Sequence, residues 1–186
     1  MDFSWLSDIF NAVLKFIPRP IIVRATHGGV KWRFGKFVKE LKPGWHWIWP
    51  LTTDHEIIVT ARQTNHQPGQ ALSTKDKKQI VVSALVVFSV KDILRAIGEL
   101  NWDVGTTVND ISQAAIVDVV TKWNLDELLE NVSGKVKDQL TEEVRKQLRQ
   151  FGVYVHKVAL TELAPCRVFK LVGQNGTAPT FNIEGV

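Results

Sequence analysis

Gln79-Ile-Val-Val-Ser-Ala-Leu-Val-Val-Phe-Ser-Val90 is the stretch on which the fold turns. β-Branched and aromatic residues crowd it, and Ser83 and Ser89 are the only polar breaks after Gln79. Such a run reads as a strand with both faces covered. The period changes directly after it. Lys91–Leu100 reads as a short helix. Val108–Trp123 reads as a second, with Ile111, Ala115, Val119 and Val120 at helical spacing. Asn124 is placed as an N-cap for the turn at Leu125–Leu129. Ser133 is placed to cap a third helix, which carries Val136, Leu140, Val144 and Leu148 at four-residue steps and ends at Gly152. Val153–Leu160 reads as a closing strand. Its apolar positions 153, 155, 158 and 160 imply a bulge or two-sided burial.

Upstream of Gln79 the chain reads as strands. Ile21–Thr26 is followed by a turn signal at His27-Gly28-Gly29. Val30–Phe34 alternates apolar and basic residues. Gly35 and Lys42-Pro43-Gly44 punctuate the next connection, Trp45–Trp49 is extended, and Glu56–Arg62 is a further strand. The polar stretch Gln63–Asp76 reads as a long connection. Strands, then helices, then one strand define an α+β fold with two subdomains. The expected division is an amphipathic membrane-anchoring helix over 1–20, a β-rich subdomain over 21–70, a second subdomain over 71–165 and a short tail over 166–186.

The N-terminal segment carries the main functional signal. On a helical wheel Phe3, Trp5, Leu6, Ile9, Phe10, Val13, Leu14, Phe16 and Ile17 share one half, and Ser4, Ser7, Asp8, Asn11 and Lys15 the other. Pro18 and Pro20 end the pattern. At about 1.5 Å per residue such a helix reaches roughly 22 Å, short of a ~30 Å hydrocarbon core. It suits a membrane surface better than a crossing. Packing on the domain or on a partner subunit is the alternative. The segment lacks the basic start and small-residue cleavage site of a secretory signal.

Charge is concentrated beside it. Residues 1–70 hold nine Lys/Arg against five Asp/Glu, and the remainder holds fourteen of each. Lys15, Arg19, Arg24, Lys31, Arg33 and Lys36 form a basic stretch that continues through Lys39 and Lys42. Near an anionic leaflet each such charge adds about 1 kcal/mol of attraction. The same bias places the domain on the cytoplasmic face of a membrane. Trp45, Trp47 and Trp49 project from one face of an extended segment. Two readings stand for them: indoles at a lipid interface, or the inner face of a small β core. Trp32 and Trp123 read as packing residues.

No chemistry-bearing constellation appears. His27, His46, His55, His66 and His156 lack metal-ligand spacing, and Cys166 is the sole cysteine. No phosphate loop or nucleophile elbow is present. No catalytic residue, metal or cofactor is expected. On the helix after Ser133, Lys137, Glu142, Glu143 and Lys146 offer complementary charges to a neighbouring subunit, while the apolar stripe packs inward. A single-stranded nucleic-acid module, with bases stacked on tryptophan and phosphates tracked by Lys and Arg, is the alternative function. The amphipathic helix argues against it, because nucleic acid offers an apolar face nothing.

Several phrases recur in a known order. They are Arg33-Phe34-Gly35-Lys36, Pro43-Gly44-Trp45-His46-Trp47-Ile48-Trp49-Pro50, Thr74-Lys75-Asp76 before the long strand, and Val90-Lys91-Asp92 after it. Leu125-Asp126-Glu127-Leu128-Leu129, Phe151-Gly152-Val153 and Ala164-Pro165 complete the series. This order resembles the SPFH or band 7 superfamily of stomatin, prohibitin and flotillin over Val23 to Pro165. The resemblance implies a non-enzymatic membrane scaffold that needs no cofactor. Such domains sit on lipid, pack as rings or cages with copies of themselves or related subunits, and restrain partners such as a membrane protease or channel. Against the family pattern, this chain reads as a short form. It lacks the long C-terminal coiled coil, has an amphipathic helix in place of a spanning segment, and carries Asp118 where relatives have an arginine.

Overall fold

The computed structural model describes residues 16–97 and 103–166. Residues 1–15 of the amphipathic helix expected over 1–20 lie outside the described residues, as does the tail beyond Cys166; Phe16–Pro18 are not helical, and Arg19 and Pro20 already open a strand. What is described is an α+β fold of antiparallel ladders and four α-helices. Strands β1 (Arg19–Val23) and β4 (Gly44–Ile48) form a two-stranded ladder. β2 (His27–Arg33) is flanked by β3 (Lys36–Leu41) and β5 (Thr53–Val59). β7 (Gln79–Val90) lies between β6 (Gln63–Ser73) and β8 (Val153–Pro165). The helices are α1 (Ile93–Ile97), α2 (Val104–Val120), α3 (Leu125–Asn131) and α4 (Lys135–Leu148).

The main core lies between β6-β7-β8 and the helices. Ile80, Val82, Ala84, Val86 and Phe88 point from β7 into it, as period-2 side chains should. Val136, Leu140, Val144 and Leu148 meet them from α4, the stripe that four-residue spacing predicts. Trp123 packs against this core and donates its indole N–H to Gln139 Oε1 at 3.1 Å. A smaller cluster of Val30, Val90, Ile93, Ala96 and Ile97, with Trp32 packed on it, joins β2 to the end of β7. Both packing tryptophans are therefore where the sequence puts them.

The structure departs from the sequence reading at several places. Gln63–Ser73 is a strand, not a connection. It pairs with β7 across a register shift between Gln67 and Gln70, at Pro68-Gly69. Its polar side chains suit an edge strand, where proline and bulges are tolerated. His27-Gly28-Gly29 lies inside β2, and the turn comes earlier, closed by His27 N–H donating to Arg24 O at 2.9 Å. These glycines serve close packing: a Cβ at Gly29 would lie 2.3 Å from Glu56 O, and one at Gly28 would lie 2.3 Å from Ile93 Cδ1. The second face of β7 is half-covered. Val81, Leu85 and Val87 are partly exposed there, and Ser83 donates to Glu162 Oε2 at 2.8 Å. β8 runs to Pro165 and carries the expected irregularity twice, its register passing over His156 and Thr161.

The caps also differ. Asn124 and Gly134 occupy the N-cap positions of α3 and α4, and neither Asn124 nor Ser133 makes a side-chain cap. Asp76, distant in sequence, takes over for α3: its Oδ1 accepts from Leu125 N–H at 3.2 Å.

Candidate functional site

The β1–β4 ladder sets the geometry of the surface. Pro20 pairs with Trp47 and Ile22 with Trp45, so these four share one face. Val23 and Ile48 point the other way and are buried. Trp45, Trp47 and Trp49 are 72%, 63% and 54% exposed. The indoles therefore face outward, and the core alternative for them does not hold. Ile22 is exposed beside them, and Leu51 is exposed in the turn that closes on Trp49 O.

Phe34 extends this surface. It stands at the β2–β3 turn, 72% exposed, with φ 51°, followed by Gly35 with φ 73°. A left-handed conformation is costly for a bulky side chain. An exposed phenylalanine recovers nothing from the protein core for that cost. Its N–H donates to Thr52 O at 3.0 Å, which fixes this tip beside the turn carrying Leu51. The Arg33 guanidinium lies 5.8 Å from the Phe34 ring centroid. Phe34, Ile22 and Leu51 were not singled out by sequence. Phe34-Gly35 between two alternating strands was the available signal.

Of the basic residues, Arg33 and Lys36 pair across the same hairpin and flank Phe34. Arg19 and Arg24 are exposed at the two ends of β1, and Lys31 is half-buried in β2. Lys15 and the apolar residues Phe3 to Leu14 lie outside the described residues. Phe16 and Ile17 are described and exposed.

A second surface lies on the other half of the chain. Lys137, Glu142 and Lys146 of α4 line an open groove of about 700 Å³ with Arg145, Arg149, His156 and Lys157. Glu143 points to the flank shared with α2 and accepts from Gln147 Nε2 at 2.8 Å. Two α4 side chains close the edge of β8. Arg145 Nε donates to Val155 O at 2.9 Å, and Val158 N–H donates to Thr141 Oγ1 at 3.0 Å. His156 shares a hydrogen bond with Ser89 Oγ at 2.9 Å. Desolvation, then the positive charges of Arg62, Lys91 and Arg145, hold its imidazole below the ordinary histidine range.

Among the described residues no three His, Cys, Asp or Glu side chains are grouped to hold a metal, and no helix is long and apolar enough to cross a membrane.

Known proteins share this chain's pattern. An uncharacterized protein of Methanocaldococcus jannaschii is 29% identical over 88% of this chain and 82% of its own length. A stomatin homolog of Pyrococcus horikoshii is 29% identical over 87% of this chain, and a stomatin homolog of Pyrococcus abyssi matches equally. This chain spans 60% of the length of either stomatin homolog. Residues 21–174 match the family model described as SPFH domain / Band 7 family, and the chain belongs to that family.

Proposed function

We propose that this protein is a peripheral membrane scaffold without catalytic activity of its own. The observation that carries this reading is the exposure of Trp45 and Trp47 on the β1–β4 ladder and of Trp49 just past its end, together with exposed Ile22, Leu51 and Phe34. A water-soluble surface rarely presents so many large apolar groups together. Indoles favour the headgroup boundary, where the ring leaves water and the N–H stays wet. Arg33 and Lys36 beside Phe34 add attraction to an anionic leaflet. The amphipathic segment 1–20 would lie in the same leaflet, on the cytoplasmic face. Family membership supports membrane association and self-association. Copies then array through the α4 surface, including Lys137, Glu142, Glu143 and Lys146, and organise or restrain partner membrane proteins such as a protease or channel.

Flotation with phosphatidylserine-containing vesicles tests this. Wild-type protein is expected to rise with the vesicles. The triple variant Trp45→Ser, Trp47→Ser, Trp49→Ser is expected to stay at the bottom while keeping its circular dichroism and melting transition. Undiminished flotation of the triple variant would overturn the assignment of these residues. A wild type that ignores vesicles and binds single-stranded DNA with a steep salt dependence would overturn the scaffold reading itself.

A further inference from the structure

We infer that copies join head to tail, the acidic, leucine-bearing face of α3 on one copy seating in the basic groove between α4 and β8 of the next. This rests on the scaffold reading and specifies how its subunits meet. The groove carries Arg145, Lys146, Arg149 and Lys157. The ion pairs among the described residues involve Lys78 and Arg95, and none of these four cations. Glu142 and Asp138 line the groove without pairing to them. Arg145 already spends its Nε on Val155 O, and Lys146, Arg149 and Lys157 leave the groove a positive surface with pairing capacity to spare.

The complementary surface is on the same chain. α3 buries Leu125 and Leu128 and exposes Asp126, Glu127, Leu129 and Glu130. Positions 126, 129 and 130 fall on one helix face, at i, i+3 and i+4. Asp126 is paired with Lys78 at 3.5 Å, whereas Glu130 and, on the adjoining face, Glu127 have no ion pair among the described residues. Leu129, beside Asp126 on the face shared with Glu130, is 46% exposed among the described residues. Tyr154, 43% exposed, stands beside the groove rather than in its lining, its ring 5.3 Å from the Arg145 guanidinium and 4.9 Å from the His156 ring. The match between the two surfaces is therefore chiefly one of opposite charge, with one exposed apolar side chain beside each.

The two surfaces are different patches. α3 precedes α4 across the turn at 132–134, whereas the groove runs along the flank of α4 beside β8. A contact between unlike patches leaves one of each free at the ends of a row. It extends until rotation closes a ring.

Cross-linking tests the contact. In a Cys166→Ser background, Glu130→Cys and Arg149→Cys are placed on one chain and treated with a short bis-maleimide, in solution and on phosphatidylserine-containing vesicles. A ladder beyond the dimer is expected. Mixed single-cysteine chains should give only the Glu130→Cys to Arg149→Cys dimer. Adding Lys146→Glu should cut the ladder about tenfold, because it sets like charges opposite each other. Products that stop at the dimer, links between two Glu130→Cys chains, or no links at all would overturn the inference. Flotation of the same samples reports the scaffold reading separately. Protein that floats but does not link defeats only this contact; protein that links in solution but does not float defeats only the membrane reading.

Discussion

Two aspartates show how much of this fold rests on single carboxylates. Asp103 starts α2, accepting from Gly105 N–H at 2.9 Å and Thr106 Oγ1 at 2.6 Å. Asp76 holds the start of α3 from a distance, bonded to Thr74 Oγ1 and Leu125 N–H and paired with Lys78 at 3.2 Å. Both are held below the ordinary aspartate range, Asp103 chiefly by the Thr106 hydroxyl and Asp76 chiefly by the Thr74 hydroxyl. Linkage fixes the sign. Each carboxylate contributes its stability above the unfolded value of about 3.9 and loses it as pH falls through the lower native value. Asp103→Ala is expected to cost about 1 kcal/mol in urea unfolding at neutral pH, the usual worth of such a cap. Asp76→Asn should lower the melting temperature at pH 7, and the deficit should shrink as the pH drops through the carboxylate range. A deficit that stays constant down to pH 2 would show that the charge on Asp76 contributes nothing.

At the scale of elements, the sequence was most legible where periodicity is long. The α4 stripe and the β7 strand are direct consequences of four-residue and two-residue spacing. Gln63–Ser73 was not legible, because an edge strand made of Gln, Thr, Asn and His has the composition of a loop; only its pairing with β7 identifies it. The caps were half legible: Asn124 does take the N-cap position of α3, but the hydrogen bond there comes from Asp76 across the fold, and Gly134 rather than Ser133 precedes α4. The recurring phrases were legible one by one, and their meeting was not. Lys91 N–H and Asp92 N–H both donate to Gly152 O, at 2.9 and 3.1 Å, so the end of β7 is latched to the start of β8. The Arg33–Lys36 turn is tied to the turn after Trp49 in the same way, through Phe34 N–H and Thr52 O. The latch makes Gly152 demanding. Its φ is 72°, and a Cβ there would lie 2.3 Å from Asp92 O. Gly35 shares the left-handed φ, 73°, but faces open space. Gly35→Ala should therefore cost roughly 1 kcal/mol, the conformational penalty alone. Gly152→Ala should cost ~3 kcal/mol or more, because backbone must also move. Equal losses in parallel urea titrations would show that the latch relaxes freely.

For the whole molecule the question is which force holds it to lipid. The outward tryptophans were legible as a face but not as an exposed one, since a two-stranded ladder can turn either side to the core. Their exposure sets the arithmetic. Burying about half of a ~200 Å² indole at ~25 cal/mol per Å² contributes roughly 2–3 kcal/mol for each tryptophan. Each basic residue near an anionic leaflet contributes about 1 kcal/mol, and only within a Debye length, which shrinks from about 10 Å at 0.1 M salt to about 3 Å at 1 M. The apolar face is therefore the stronger contributor and the one that salt does not screen. Raising NaCl from 0.1 to about 1 M should weaken vesicle flotation of the wild type without abolishing it. Arg33→Ser with Lys36→Ser should flatten that salt response while leaving substantial binding. The tryptophan triple variant should lose flotation even at low salt. Complete release of the wild type by high salt would mean that the charges hold the protein and the indoles only rest near the surface, with the apolar ladder then covered by something other than lipid.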